Sequence, residues 1–423
     1  MLTAISNAFR VPELRRKILF TLAIIALYRV GSYIPAPGIN TDIIESAVSN
    51  TATLGLLNLF SGGALSQVAV FSLGIMPYIT SSIIMQLLQG VIPAIERWQK
   101  EGETGQRRIT QITRYMTLGI ALLQALGLLT VFKSLGALPA SQVAGAPSLG
   151  FTYTVIVITL IAGTALIMWF GELITQRGIG NGMSLLIFAS IVSRFPVAII
   201  NSVRLGSWGF TALVVFFTFF IIAAIVTMER AQRRIPVQYA KRVVGRRVYG
   251  GTGTYIPLKI NGANVVPIIF ASAILFFPAQ IANFFPNQPW LQTFGNSLSS
   301  GWINWICEFV LIVFFTYFYT ALVFNPIDLA DNLRKNGGFI PGVRPGTATV
   351  RYMENVLNRI TLPGALFLGV IAVVPTMLFT ATGNQLVRTF GGTSILIMVG
   401  VALETMTQIE SQLKMRHYDG FFK

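Results

Sequence analysis

The chain has 423 residues, 53% of them hydrophobic and only 11% charged, and its 31 Lys and Arg against 15 Asp and Glu give a net charge of +16. Soluble domains carry about 25% charged residues, so the composition excludes a soluble globular protein and indicates one that crosses a membrane many times. A single cysteine, Cys307, excludes an internal disulfide, and a single histidine, His417, in a basic tail, leaves no metal cluster or nucleophile–histidine pair to build on.

A crossing needs roughly 20 mostly apolar residues. In chain order the candidate spans are Ile18–Ile34, Gly74–Ile92, Tyr115–Leu135, Tyr153–Leu173, Met183–Ile200, Phe210–Met228, Val265–Phe285, Ile303–Phe324, Leu362–Phe379 and Thr393–Thr407, ten in all. No small-residue cleavage site follows the first, which is therefore read as a span rather than a secretory signal peptide. An even number of spans puts both termini on one side. Lys and Arg concentrate before span one, after every even-numbered span and in the tail. The other side has only Lys133, Arg194, Arg204 and Arg388, with Arg29 at the outer end of span one. Basic loops stay in the cytoplasm, so both termini are expected there.

The stretch from Phe60 to Leu88 is apolar but interrupted by Gly62-Gly63, Gly74 and Pro77. Broken backbone at membrane depth survives only where protein buries it or where it lines a water-filled cavity. After Gly74 a helix can run to about Ile92, with Ile75, Ile79, Ser82 and Gln86 on one face at i, i+4, i+7 and i+11. An apolar start followed by Ser and Gln suits a pore wall better than a lipid face. The spacing predicts a pore-lining helix preceded by a short re-entrant segment.

Two cytoplasmic loops, 229–264 and 325–361, exceed what a reversal requires and are rich in Gly and Arg. In the first, Arg246 to Tyr249 alternates weakly before Gly250-Gly251, which predicts a projecting hairpin. Orientation alone does not require such arms, and docking of a partner explains them better. Their charge suits an acidic protein surface or RNA phosphate equally. Between the halves of the chain the residues give only a hint of repetition, a Pro-bearing second helix in each (Pro77, Pro267).

No Gly-x-x-x-x-Gly-Lys-Ser/Thr loop occurs, and Gly250-Gly-Thr-Gly-Thr254 is merely glycine-rich. Glu308 is the main acid within a span, with Glu172 and Glu404 near cytoplasmic ends. Ion-coupled carriers need buried ionisable groups at the midplane. Glu308 alone makes a weak case, since it could equally sit in water at the outer interface. A secondary transporter of small solutes is thus the second reading, and an enzyme finds no catalytic constellation.

Several stretches taken together carry a family resemblance: Arg29-Val-Gly-Ser-Tyr-Ile-Pro-Ala-Pro-Gly38, Asn58-Leu-Phe-Ser-Gly-Gly-Ala-Leu65, Leu73-Gly-Ile-Met-Pro-Tyr-Ile79, Lys100-Glu-Gly-Glu103, Arg177-Gly-Ile-Gly-Asn-Gly182, Arg242 to Tyr249, Pro341-Gly-Val-Arg-Pro-Gly346 and Gly391-Gly-Thr-Ser-Ile-Leu-Ile397. Over essentially its full length the chain resembles the bacterial SecY family of protein-translocation channels. The resemblance implies an all-α polytopic membrane protein, with ten transmembrane helices in two inverted five-helix halves (1–203 and 204–423) around a central pore. It also implies a lateral gate between spans 2 and 3 on one side and spans 7 and 8 on the other.

By the same resemblance, a plug helix maps to about 58–70 and includes Asn58, Phe60, Ser61, Gly62, Gly63 and Leu65. Pore-ring positions fall on Ile75, Ile79, Met183, Ile187, Ile269 and Ile397, where Met183 departs from the usual isoleucine and could loosen the ring slightly. The span boundaries put Ile269 close to an inner end. An apolar ring dewets and blocks ions, yet offers a passing polypeptide nothing to bind. Ordinary helix packing would explain any one of these residues alone. Thr80, Gln86, Asn181 and Phe277 map to the lateral gate, with Gln86 and Asn181 in a polar cluster across the seam. Arg246, Arg247 and Arg344 map to docking arms for the ribosome and the SecA motor ATPase. Implied partners are SecE-type and SecG-type small membrane subunits, signal peptides and nascent chains, besides anionic lipids. No cofactor is implied, and the expected location is the bacterial plasma (inner) membrane.

Overall fold

The computed structural model describes residues 9–37, 39–50, 52–138, 149–204, 208–239, 242–244, 247–249, 254–284, 288–299, 301–382 and 391–419. Helix α1 (Pro12–Gly31) opens on a proline, whose missing N–H costs nothing in a first turn. Two short helices follow, α2 (Thr41–Asn50) and α3 (Ala52–Phe60), and then α4 (Met76–Val91) with α5 (Pro93–Lys100). Ile92 is extended (φ −98°, ψ 112°) because a residue before proline is pushed out of the helical region. The chain therefore bends by 99° between α4 and α5.

Next come α6 (Glu103–Ser134), α7 (Leu149–Arg177), α8 (Gly182–Val192), α9 (Arg194–Arg204) and α10 (Trp208–Arg230). The expected span Met183–Ile200 is broken at Ser193. Pro196, in the first turn of α9, has no N–H to continue the ladder back into α8. The remaining helices are α11 (Val266–Phe284), α12 (Pro289–Ser299), α13 (Trp302–Val323), α14 (Pro326–Lys335), α15 (Thr347–Thr382) and α16 (Gly392–Asp419). Every expected span thus has a helical counterpart, although α6, α15 and α16 run well beyond the apolar segments that marked them.

By length and composition seven helical stretches can cross a membrane, and α4 with α5 makes an eighth if the bent pair is one span. The first turns of α1 carry Arg15, Arg16 and Lys17, and α11 is a shorter apolar helix; these two complete the expected set.

Helices α1, α4, α6, α7 and α8 pack on one another, as do α11, α13, α15 and α16 with α10. The two groups meet along two seams. At one, α11 lies against α4 and α6; at the other, α16 lies against α8. A single apolar cluster runs through both groups, from Ile24 and Tyr28 to Leu396 and Val401. Arg114 on α6 donates two hydrogen bonds to Glu172 on α7 (2.7 and 2.6 Å), a bidentate pair that fixes these neighbours to each other. Glu308 is 8% exposed. The alternative that placed it in water at the outer interface is therefore incorrect.

The first arm holds two antiparallel strand pairs; Gly250-Gly251, where the expected hairpin would turn, lie outside the described residues. Strands β1 (Gln232–Tyr239) and β4 (Thr254–Lys259) pair antiparallel, and β2 (Arg242–Val244) pairs with β3 (Arg247–Tyr249). Arg234 lays its guanidinium 4.9 Å from the Tyr255 ring, diagonally across the ladder.

The second arm is not a loop. Most of 325–361 belongs to α14 and the first turns of α15, with a short strand β5 (Gly338–Phe339) between. Asn325 caps α14 by accepting from the Ile327 N–H at 3.1 Å. Strand β5 pairs with β1, so both arms share one sheet in the order β4-β1-β5. They also share a small core of Ile235, Val237, Leu258, Leu333, Ile340 and Met353. Ile235→Ala, at a site 1% exposed, is expected to cost about 2–5 kcal/mol of local stability. Limited trypsinolysis of intact membranes checks this: cleavage at Arg233 and Arg234 should accelerate while the spans stay protected.

Candidate functional site

The six ring positions come from four helices, each contributing near its start. Ile75 immediately precedes α4 and accepts from the Ile79 N–H one turn later (3.1 Å). Met183 and Ile187 stand one turn apart at the beginning of α8, Ile269 lies in the first turn of α11, and Ile397 in the second turn of α16. All six are at most 8% exposed and belong to the same apolar cluster. A Cβ placed on Gly171 of α7 would overlap the Met183 sulfur. The Met183 thioether therefore rests on α7 backbone that glycine has left open, and its length fills that space.

Before α4 the chain does not run as a helix over 58–70. The helical part lies earlier, in α3, and reaches only Asn58 and Phe60 of the six plug positions. Ser61, Gly62, Gly63 and Leu65 lie in a succession of turns. The cause is local: Gly62 and Gly63 take φ of 65° and 96°, left-handed values that end a helix and that other residues adopt at a cost.

Buried turns must satisfy their own polar groups. Asn58 answers much of this, its carbonyl accepting from Gly63 N–H (2.8 Å) and its Oδ1 from Ser66 N–H (3.0 Å). Ser72 Oγ donates to the Ala64 carbonyl (3.1 Å), and the segment bridges to the outer end of α1 through Ala36 N–H to Val68 O (2.8 Å) and Val70 N–H to Ile34 O (2.9 Å). Val68 is held at φ 44°, a strained state for a β-branched residue that costs about 1–3 kcal/mol. Phe71 stacks on Tyr28 at 5.6 Å, and Gly31 leaves the room its ring occupies.

Sequence reasoning missed the residues that hold these turns from outside. Tyr28 shares a 2.6 Å hydrogen bond with Ser190 of α8 and donates to the Ser61 carbonyl at 3.4 Å. Arg29 donates to the Gly62 carbonyl at 2.9 Å. A Cβ at Gly63 would stand 2.8 Å from Arg194 Cζ. The tyrosine and the α8 serine are 162 positions apart; the nearest available signal was Arg29, a charge at the end of a span.

Gln86 and Asn181, expected in one polar cluster, each make local hydrogen bonds. Asn181 is spent as the N-cap of α8, its side-chain oxygen accepting from Met183 N–H (3.1 Å) and Ser184 N–H (3.4 Å). Gln86 donates to Ser82 on its own helix (3.3 Å), and Thr80 Oγ1 donates to the Met76 carbonyl (3.0 Å). Among the described residues, no hydrogen bond joins Gln86 to Asn181. Phe277, on α11, is 46% exposed. Arg344 is exposed in the turn after Pro341, where its carbonyl accepts from Thr349 Oγ1 (2.9 Å). Arg246 lies outside the described residues, and of Arg247 only its place in β3 is described.

Comparison with known proteins adds to this geometry. The SecY family model matches residues 69–406. A Streptomyces galbus relative named protein translocase subunit SecY is 51% identical over 437 residues and covers 100% of both chains. Among solved structures, one of a protein-conducting channel superposes with TM-score 0.66 at 17% identity, over 96% of each chain. One concerning a SecY plug domain that stabilises the closed channel gives 0.64 at 18%, and Sec61 in a canine ribosome–channel complex gives 0.62 at 16%, each again over 96% of both chains. The fold is therefore that of these channels, all-α and polytopic.

Glycine sets how closely the helices around the ring approach. A Cβ on Gly182, at the start of α8, would overlap the Gly171 carbonyl of α7, backbone against backbone with no side chain to yield. Gly182→Ala is expected to destabilise the protein by about 1–3 kcal/mol. The unfolding midpoint in detergent should fall, whereas Gly119→Ala, where a Cβ meets nothing within 4 Å, should leave it unchanged.

Proposed function

Because the chain belongs to the SecY family, we propose that it is the channel subunit through which unfolded polypeptides cross the membrane and from which apolar segments pass sideways into lipid. It is a conduit and not an enzyme; driving energy comes from translation or from an external motor ATPase of the SecA type. The observation that carries this reading is the burial of Ile75, Ile79, Met183, Ile187, Ile269 and Ile397 in one apolar cluster drawn from four helices. Such a collar sheds water and presents no group that would grip a passing side chain. Above it the re-entrant segment 58–70 acts as the plug. The seam of α11 against α4 and α6 acts as the lateral gate, at which Thr80, Gln86, Asn181 and Phe277 contribute. The two halves, 1–203 and 204–423, move apart along that seam.

The chain sits in the bacterial plasma membrane with both termini cytoplasmic, as the distribution of Lys and Arg favours. SecE-type and SecG-type subunits accompany it, and anionic lipid meets its basic loops. The arms, with Arg246, Arg247 and Arg344, receive the ribosome and the motor; the sheet β4-β1-β5 and one small core tie the two arms together, while Arg247 stands on the separate β2–β3 pair.

A photoreactive residue at position 79 tests the pore reading directly. A stalled secretory chain should crosslink there in quantity, and absence of adducts while the same chain crosslinks elsewhere in the subunit would count against it. For the arms, Arg344→Ala is expected to lower motor-driven export several-fold in reconstituted vesicles, with membrane insertion and complex assembly intact; unchanged export rates would remove Arg344 from the docking surface.

A further inference from the structure

The plug segment is gripped from two sides by arginines that the pore reading does not use. Helix α3 ends at Phe60, and its last carbonyls face the turn Ser61–Gly63: Ser61 N–H reaches Leu57 O (2.9 Å), Gly62 N–H reaches Leu59 O (3.1 Å) and Gly63 N–H reaches Asn58 O (2.8 Å). A helix C-terminus carries partial negative charge and favours cations nearby. Two cations stand at this one. Arg29, from the end of α1, donates to the Gly62 carbonyl (2.9 Å) through Nη1 and to Tyr33 OH (3.2 Å) through Nη2, with Cζ 5.4 Å from the Tyr33 ring centre. Arg194, the first residue of α9, lies against Gly63, and its Nη2 is buried with no hydrogen-bond partner among the described atoms. Both glycines are required here. A Cβ on Gly62 would meet Arg29 Nη1 at 2.8 Å and Ser190 Cα at 3.0 Å, and one on Gly63 would meet the Arg194 guanidinium.

We propose that Arg29 and Arg194 form a latch on the Gly62–Gly63 turn that sets the threshold at which the plug leaves the pore. The proposal rests on the channel reading above and adds to it the positioning residues that govern opening. Arg29 is the bonded half: its planar fork ties the plug backbone to α1 through one arm and to Tyr33 through the other, a geometry lysine cannot reproduce. Arg194 is the packed half, closing the turn from the α9 side. Opposing both is the strained Val68, whose left-handed backbone relaxes when the segment is freed. A latch that works against a strained spring yields a two-state plug rather than one that drifts.

The experiment reconstitutes the chain with its small membrane subunits and reads two quantities: resting anion conductance in planar bilayers, and transport of precursors with an intact or a defective signal sequence. Arg29→Gln and Arg194→Gln should each raise resting conductance about tenfold, equivalent to about 1.4 kcal/mol, and should pass the defective precursor. Arg29→Lys should fall between wild type and Arg29→Gln. Gly62→Ala keeps both charges yet forces a methyl between Arg29 and Ser190, and it should shift both readouts the same way; it decides the matter if an arginine variant fails to fold. Wild-type conductance and stringency in Arg29→Gln and Gly62→Ala, with unfolding midpoints unchanged, would overturn the latch. Transport of the intact precursor separates the two claims: if wild type moves none, the channel reading itself fails, and if all variants move it without any change in leak, only the latch does.

Discussion

Everything near the pore depends on one requirement: backbone broken inside a membrane has to find all its hydrogen-bond partners within the protein. An unsatisfied buried amide costs several kcal/mol where no water is available. The turns after α3 meet that requirement with groups from α1 and from within the segment itself, most of all Asn58, Ser72 and the strip Ile34–Ala36. A seated segment of this kind is closed in a specific way. Its hydrogen bonds are made only in this position, so moving it exposes them together, and the displaced state is disfavoured until the freed groups find other partners. The apolar cluster beside it has the opposite character, since dispersion contacts among its isoleucines are non-directional and can be remade when neighbours shift.

The sequence made the spans legible because a length of roughly 20 apolar residues is a long-range, redundant signal. It also revealed that the stretch around Gly62, Gly63 and Pro77 could not be a straight helix. What it could not show was which partners polar side chains would choose. Gln86 and Asn181 have the right chemistry for a cross-seam bond, and each finds a nearer acceptor or donor in its own helix. For Asn181 the local sequence did contain the answer: Gly-Asn-Gly ahead of an apolar run is a cap signal. Helix α3 was overlooked because nine residues are too few to register as a span. The pairing of β5 with β1 joins residues about 100 positions apart over only two register pairs, and no periodicity reports a contact so short and so distant.

The joined arms bear on how force reaches the pore. Strand β4 ends at Lys259, and a few residues later α11 begins at Val266, with Asn261 bridging the interval by donating to Glu229 Oε1 (2.6 Å) and to the Asn264 carbonyl (3.0 Å). A load applied to the sheet is therefore delivered to the start of α11, the turn that holds Ile269. The helix that carries this collar residue is also the one that forms the seam with α4 and α6.

The helix groups differ from the seam between them in where backbones touch. Glycines allow helices to interlock at main-chain distance, and in membranes such small-residue contacts are a main source of cohesion. In this chain the tightest of them fall inside each helix group, while at the other seam a Cβ on Gly180 would stand 3.3 Å from Thr405 Oγ1 of α16. Gly163 on α7 lies under the Val70 carbonyl, Gly182 on α8 against Gly171, Gly369 on α15 against Phe309, and Gly392 on α16 against the Ile371 carbonyl. A Cβ on Gly90 of α4 or Gly119 of α6 would meet nothing within 4 Å, and α11 contains no glycine. Each group is internally keyed, and the interface between them there rests on side chains that can change rotamer. Separating two packed surfaces costs least where no backbones interlock, and along α11 that condition comes from the lack of glycine as much as from anything present.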